Sequence, residues 1–160
     1  MTLSTIERIF LLQGADLFRQ VPMQDLVSIA QLCREVNFTK GEQFIKEGET
    51  GDCLYIIATG DVTVVVEGVG RIGSSRQGEV IGEMAIISSN PRVASCIADT
   101  EVTALQITHN DFWTLMEENS AVALSVLRVI VTRLEDALQK LRIQSGQPNS
   151  PSMIISRKKD

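Results

Sequence analysis

Two charged residues interrupt a small and apolar stretch, IGEMAIISSNPRVASCIA, which runs from residue 81 to residue 98. They are Glu83 and Arg92. A guanidinium binds a phosphate through parallel charge-assisted hydrogen bonds, whereas a carboxylate accepts hydrogen bonds from hydroxyl groups. The pair therefore suits a ligand that carries an anionic group beside hydroxyls. The alternative is an ion pair in which two half-buried charges neutralise each other. The two residues alone are equally consistent with both interpretations.

The residues around the acid favour a ligand. The segment Gly82, Glu83, Met84 and Ala85 is predicted to form a helical turn, whose free backbone N–H groups suit an anion. The small residues at 82 and 85 allow a ligand to approach the backbone closely. Arg92 follows after the short loop SSNP, which can fold back over that turn. A phosphate beside a sugar hydroxyl describes a nucleotide, and a pocket for a single phosphate suits a cyclic one.

The elements that must position these residues follow from the hydrophobic period. Up to about residue 34 the apolar positions recur at helical spacing, with a short helix over residues 4–12 and Pro22 in the first turn of the next helix. From residue 36 to 107, short segments rich in Val, Ile and Thr alternate with glycines. The predicted strands include 53–59, 62–67, 92–98 and 102–108. Turn signals at this interval are typical of a sandwich or barrel-like β unit.

Two further helices are predicted after the strands. Thr108 and Asp111 give an N-cap and an acidic first turn for HNDFWTLMEEN. A longer helix over residues 121–143 carries an a/d heptad pattern, formed by Leu124, Leu127, Val131, Leu134, Leu138 and Leu141. That apolar stripe either packs against the β unit or joins two copies of the chain, and we favour a homodimer through the 121–143 helix.

Two motifs in this order resemble a known family. IGEMAII, a short loop and PRVAS are similar to the phosphate-binding cassette of the cyclic-nucleotide-binding domain, the β-roll of the catabolite activator and of protein kinase A regulatory subunits. Upstream, FIKEGETGDCLYIIATG (44–60) resembles the family's early strands and their turns. LFRQVPMQDLVSIAQL resembles its N-terminal helix. The resemblance covers about residues 10 to 143.

The resemblance implies an α+β, mainly β fold. Its centre is an antiparallel, jelly-roll-like β-roll with N-terminal helices, a short phosphate-cassette helix and two C-terminal helices. We therefore expect one cyclic-nucleotide-binding domain over residues 1–143. It would comprise N-terminal helices (1–34), the β-roll (35–108) and C-terminal helices (109–143). The tail, 144–160, is rich in Ser, Pro and Asn and is expected to be disordered.

The resemblance also assigns roles within the cassette. Arg92 would hold the phosphate oxygens with the backbone N–H groups of Ala85 and Val93, and Glu83 would bond the ribose 2′-hydroxyl. Gly82 would allow close approach of the ligand. The remaining expected ligand-binding residues are Met84, Ala94 and Ser95. The final helix would act as a lid over the base.

This chain departs from the family's pattern at three places. Val93 stands where a hydroxyl bonds guanine in members that prefer cGMP, so the chain favours cAMP. Cys96 replaces an aliphatic residue. Ser75 and Arg76 occupy a stretch that is commonly apolar, so the fifth strand of the roll is expected to be irregular. None of these changes removes the pair of residues that would bind phosphate and ribose.

Composition excludes several other classes of function. The net charge of −5 argues against nucleic acid as a partner. Three scattered cysteines and one histidine, His109, give no metal set, and the cysteines are expected to be buried, reduced thiols. Neither a Ser-His-Asp arrangement nor paired carboxylates can be identified, so no catalytic residue is expected. GVGRIG (68–73) matches a dinucleotide-binding pattern but lies where a hairpin loop is predicted.

The apolar runs are too short to cross a bilayer and the N-terminus lacks the features of a secretory signal, so a cytoplasmic protein without a membrane partner is expected. The leading hypothesis is a non-enzymatic module that senses a cyclic nucleotide, cAMP rather than cGMP, needs no cofactor, and moves its C-terminal helix to act on an unidentified effector. The alternative is a structural or dimerisation module of the same fold with an empty or repurposed pocket.

Overall fold

Two four-stranded antiparallel sheets form the centre of the computed structural model, which describes residues 2–146. The strand orders are β1-β8-β3-β6 and β2-β7-β4-β5. Their bounds are Arg34–Phe38 (β1), Gln43–Ile45 (β2), Cys53–Thr59 (β3), Val62–Val66 (β4), Gly70–Ser75 (β5), Val80–Ile81 (β6), Ser95–Ala98 (β7) and Val102–Thr108 (β8). The predicted α+β fold, an antiparallel β-roll with flanking helices, is confirmed.

The predicted strands agree with β3 and β8 at both ends. The strand predicted over 92–98 starts only at Ser95, because Arg92 donates its backbone N–H to Glu49 outside the sheet. The expected irregularity of the fifth strand is confirmed. The register of β4 with β5 shifts between Val64 and Val65, whereas Ser75 itself pairs with Val62.

The two sheets face each other across an apolar core. Its members come from both sheets and include Ile45, Tyr55, Ile57, Val62 and Ala104. Burial of such alternating side chains is the main force that holds the sheets together. The three cysteines are buried and unpaired, as expected for reduced structural thiols.

Two α-helices and, between them, a short 3-10 helix, Asp16–Phe18, precede the roll. α1, Thr5–Gly14, begins at a capping box in which Ser4 and Glu7 satisfy each other's backbone N–H groups. α2 is Met23–Leu32, and Pro22 is its N-cap rather than part of its first turn. Proline at either position costs the helix no hydrogen bond, since neither N–H has a partner within the helix.

Three helices complete the described chain: α3, Glu83–Ser88, between β6 and β7, and then α4, His109–Glu118, and α5, Ser120–Gln144. The predicted N-cap of α4 is confirmed, because Thr108 Oγ1 accepts the backbone N–H of Asp111 at 3.2 Å. His109 is the first residue of α4 and is half-buried rather than fully at the surface.

α5 passes from one compact unit, which ends at Val126, into a second that begins at Leu127. In the first unit Val122, Ser125 and Val126 are buried, and the Ser125 hydroxyl donates to the backbone carbonyl of Leu17 at 2.9 Å. This spacing of three and four anchors the start of α5 through one helical face.

The predicted heptad positions of α5 are exposed. Their side chains are between 46% and 60% exposed: Leu124, Leu127, Val131, Leu134, Leu138 and Leu141. The predicted domain boundaries remain a prediction, and residues 147–160, most of the predicted disordered tail, lie outside the described residues. Among the helices of residues 2–146, none has both the length and the apolar composition that crossing a membrane requires.

Candidate functional site

The predicted helical turn of the cassette is the six-residue helix α3. Gly82 joins β6 to it with a φ of +84°, a left-handed conformation that costs glycine little and other residues much more. Ser89 ends the helix, also in the left-handed region, with a φ of 57°. These two turns reverse the chain on either side of α3 and bring residue 92 back beside residue 82.

The guanidinium of Arg92 lies against α3 and is nearly buried, with 7% of the residue exposed. Its Nη1 donates to the carbonyl oxygen of Gly82 at 2.8 Å, and its Nη2 donates to that of Cys53 at 2.6 Å. Charge-assisted bonds of this kind offset the cost of taking a cation out of water. A guanidinium has five N–H donors. The two carbonyls therefore account for two of these five donors.

The backbone of Arg92 is fixed by the loop between β2 and β3. Arg92 donates its N–H to the carbonyl of Glu49 at 2.8 Å, and its own carbonyl accepts the N–H of Gly48 at 2.9 Å. Thr50 and Pro91 form an isolated antiparallel bridge beside this pair. The motif at 44–60 thus positions Arg92, which belongs to the motif at 81–98.

Gly51 makes room for the guanidinium. A Cβ added at Gly51 would lie 2.5 Å from the Cβ of Ala85 and 3.3 Å from Arg92 Cζ. Sequence analysis attributed this glycine only to a strand-and-turn motif, and it missed the carbonyl of Cys53 altogether. The spacing G-D-C, directly before a strand, is the signal that could have identified Gly51. Cys53 accepts through its backbone carbonyl, so its residue type in the sequence could not have identified it.

A cavity of about 250 Å³ lies beside α3, a little below the roughly 300–1,000 Å³ typical of small-molecule sites. Seven of the eight predicted site residues line it: Gly82, Glu83, Met84, Ala85, Arg92, Val93 and Ala94. Ser95 does not, and its hydroxyl instead accepts the backbone N–H of Glu47 at 2.9 Å. The two charges that sequence analysis singled out therefore share one cavity, and Glu83 is buried there with 6% exposed.

Comparison with known proteins decides the family. Residues 35–119 match the model of the cyclic nucleotide-binding domain. The chain belongs to this family. It is 31% identical over 106 residues to a cAMP-dependent protein kinase regulatory subunit of Emericella nidulans, an alignment that covers 66% of this chain and 26% of that protein. It is 29% identical over 136 residues to the cGMP-dependent protein kinase egl-4 of Caenorhabditis briggsae, covering 81% of this chain and 18% of that one.

A solved structure, the catabolite activator protein of Thermus thermophilus, shares the fold with a TM-score of 0.74 and 22% identity, over 82% of this chain and 63% of that one. The chain spans only about a quarter or less of the two kinase-related proteins. The comparisons thus identify this chain as a cyclic nucleotide-binding regulatory domain.

The cyclic nucleotide-binding domain presents neutral thiols to this site. Cys96 lines the cavity, and burial raises the pKa of its thiol to about 11, although the positive charge of Arg92 acts in the opposite direction. Burial likewise raises the pKa of Cys53, whose carbonyl accepts the guanidinium. Both thiols are therefore protonated at neutral pH. Neither one carries a negative charge that would neutralise Arg92. Within residues 2–146, no group of His, Cys, Asp or Glu side chains could hold a metal ion.

Proposed function

We propose that this domain is a non-enzymatic sensor that binds a 3′,5′-cyclic nucleotide, cAMP in preference to cGMP, in the cavity beside α3. The observation that carries the proposal is the placement of Arg92 and Glu83 on one cavity, with the guanidinium nearly buried and held by two backbone carbonyls. A cation fixed in advance in a poorly solvated site binds an anion without a further cost of reorganisation.

Each cassette residue has a distinct role in this proposal. Arg92 holds the cyclic phosphate, and the backbone N–H groups of Ala85 and Val93 add donors to it. The Glu83 carboxylate accepts the ribose 2′-hydroxyl. Gly82 has no side chain, which leaves space between α3 and the guanidinium. Met84 and Ala94 contribute to the wall, and Ser95 supports it through its bond to the β2 end.

The proposed preference for cAMP rests on Val93. Val93 lines the cavity and is 57% exposed. Its side chain has no hydroxyl, the group that bonds guanine in family members that prefer cGMP. The chain's similarity to both a cAMP-dependent regulatory subunit and a cGMP-dependent kinase is compatible with either nucleotide.

Calorimetric titration of the purified chain with cAMP, cGMP and 5′-AMP tests the proposal. We expect binding of the cyclic nucleotides and little binding of 5′-AMP, whose dianionic open phosphate does not match a site built for one cyclic phosphate. The competing hypothesis, a structural module with an empty pocket, expects no heat with any of the three. Absence of binding by both cyclic nucleotides would therefore refute the sensor.

We propose that ligand binding is transmitted to the C-terminal helices through Trp113. The indole Nε1 of Trp113, in α4, donates to the carbonyl of Ile86, in α3, at 3.1 Å. A shift of α3 on closing around a phosphate must therefore move Trp113 or break this bond. By linkage, a ligand that favours one position of α3 also favours the matching position of α4, and the C-terminal lid helix follows it.

Trp113 also supplies the test, because it is the single tryptophan of the chain. Saturating cAMP is expected to shift or quench its emission with the same midpoint as the calorimetric titration. Replacing Trp113 with phenylalanine keeps the ring and removes the donor, so it should alter cAMP affinity by several-fold without unfolding the domain. Unchanged emission at full occupancy, together with unchanged affinity in the phenylalanine variant, would rule out this route.

We propose that one partner of this domain is a second copy of the chain, and that the two copies pair through the exposed heptad stripe of α5. Six half-exposed apolar side chains at alternating spacings of three and four form a seam that a second helix can cover. Any further effector is unidentified; the aligned segments cover only 26% and 18% of the two kinase-related proteins.

Sedimentation equilibrium tests the homodimer. The chain is expected to sediment as a dimer, and Leu134→Lys is expected to convert it to a monomer by placing a charge in the seam. Thr132→Lys is the matched control, because Thr132 is exposed on the same helix outside the a/d positions. Neither substitution lowers helix propensity, since lysine forms helices about as well as leucine and better than threonine. A parent chain that is monomeric at all concentrations would contradict the dimer.

A further inference from the structure

A second cavity lies between α1 and one end of β3. Its volume is about 470 Å³, within the roughly 300–1,000 Å³ that is typical of small-molecule sites. One wall is α1 with the residues just before it, and the other is formed by residues 58–59 in β3 and residues 77–78 in the turn before β6. The cavity shares no lining residue with the one beside α3. A molecule bound here would therefore occupy a site separate from that of the proposed nucleotide.

α1 contributes an exposed aromatic side chain to this cavity. Phe10 lines it and is 65% exposed, whereas Leu3 and Leu11, which also line it, are half-buried. An aromatic side chain has a large apolar area, and covering that area with a ligand removes it from water. The wall at α1 therefore favours a ligand with an apolar body.

Gly14 keeps one end of the cavity open. It is the last residue of α1 and lines the cavity, and a Cβ added there would have no neighbouring atom within 4 Å. Its φ is not in the left-handed region, so the backbone does not require a glycine at this position. Glycine in a helix is less favourable than any ordinary residue with a side chain. The effect of this glycine is thus space for a ligand rather than stability of the helix.

The cavity has a single charge. Of the nine residues that line it, all within residues 2–146, only Glu7 is charged. The capping box fixes this carboxylate, because the backbone N–H and the hydroxyl of Ser4 both donate to Oε2 at 2.7 Å. These hydrogen bonds lower the pKa of Glu7 below its ordinary value, so the group is ionised at neutral pH. The cavity therefore combines a fixed negative charge with apolar surface.

An organic cation with an apolar body matches both features. Glu7 and Phe10 are three residues apart on α1, so they are neighbours on one face of the helix. A carboxylate attracts an ammonium group, and an aromatic ring attracts a cation that lies within about 6 Å of its centre. We propose that this cavity binds a small organic amine, with the ammonium group at Glu7 and the apolar body between Phe10 and the end of β3.

Titration of the isotope-labelled full chain with phenethylamine, followed by its amide NMR spectrum, tests the proposal. This amine is a cation at neutral pH. We expect saturable shifts in residues 3–14, 58–59 and 77–78, with a Kd on the order of 1 mM. Phenethyl alcohol has a hydroxyl in place of the ammonium group and should bind at least about threefold more weakly. No saturable shift in these segments, or equal affinity for the alcohol, would overturn the proposal.

Glu7→Gln isolates the contribution of the charge, because glutamine also forms a capping box. This variant should bind the amine about threefold or more weakly and bind the alcohol as the parent does. Phe10→Ala should weaken the binding of both probes. Ile6→Ala is its matched control, because Ile6 is 66% exposed on the same helix and is not part of the cavity lining. Parental affinity for the amine in either Glu7→Gln or Phe10→Ala would contradict the proposed contacts.

Gly14→Leu tests the location by filling the cavity. Leucine has a higher helix propensity than glycine, so this variant should unfold thermally at the same temperature as the parent or higher. It should lose the saturable shifts that phenethylamine causes in the parent. If a folded Gly14→Leu variant still binds the amine as the parent does, the amine lies elsewhere and the proposal fails.

Discussion

Replacing Arg92 with alanine is expected to weaken cAMP binding by ~2–5 kcal/mol, roughly 30- to 5,000-fold in Kd. Arg92 is nearly buried, and it lines the same cavity as Glu83. Without it the phosphate would lose a fixed positive charge in a poorly solvated site. Calorimetric titration of the variant with cAMP measures the loss.

Two further variants separate binding from folding. Arg92 also donates to the carbonyls of Gly82 and Cys53, and leaving buried carbonyls without a donor costs about 1–3 kcal/mol each. Thermal unfolding must therefore accompany the titration. Arg92→Lys keeps the charge but loses the planar fork, and it should bind more weakly than the parent and more tightly than Arg92→Ala. Arg34→Ala, at an exposed position in β1, should bind as the parent does. Parent-like affinity in a folded Arg92→Ala variant would refute the site.

Gly82→Ala is expected to weaken cAMP binding and also to destabilise the domain. Gly82 has a φ of +84°, and a Cβ there would lie 2.5 Å from Arg92 Nη1. The left-handed backbone alone costs an alanine about 1–2 kcal/mol. The contact adds to this, since the guanidinium must leave the carbonyl that holds it. Urea unfolding measures the first effect, and calorimetric titration with cAMP measures the second.

Gly78→Ala provides a matched control. Gly78 has the same φ of +84°, but nothing lies within 4 Å of a Cβ added there. Gly78→Ala should lose only the stability that corresponds to the left-handed backbone of an alanine. It should keep the cAMP affinity of the parent. Gly82→Ala should be less stable than Gly78→Ala by about 1 kcal/mol or more and should bind cAMP at least about tenfold more weakly. If the two variants have the same stability and the same cAMP affinity, the close approach of residue 82 to the guanidinium does not contribute to binding.

Much of the fold was predictable because its signals are local. The change from a helical period to runs of Val, Ile and Thr separates the helices from β3 and β8, and the Thr108 cap gives the start of α4. The prediction was wrong at 92–94, where Val93 and Ala94 suit a strand. Backbone bonds to the loop between β2 and β3 hold Arg92 outside the sheet instead. The preceding Asn90-Pro91 dipeptide is the local signal for a turn there.

The candidate site was likewise predictable only in part. From the residues alone we could recognise one acid and one base among small neighbours, in an order that resembles a cyclic nucleotide cassette. The three-dimensional arrangement was needed to show that Glu83 and Arg92 line one cavity, that the carbonyl of Cys53 accepts from the guanidinium, and that Ile72, at a bulge in β5, lines the same cavity. These features could not be read from residue types, because every residue carries a backbone carbonyl. Which carbonyl becomes an acceptor, and which side chain a bulge redirects, depends on how distant strands pair.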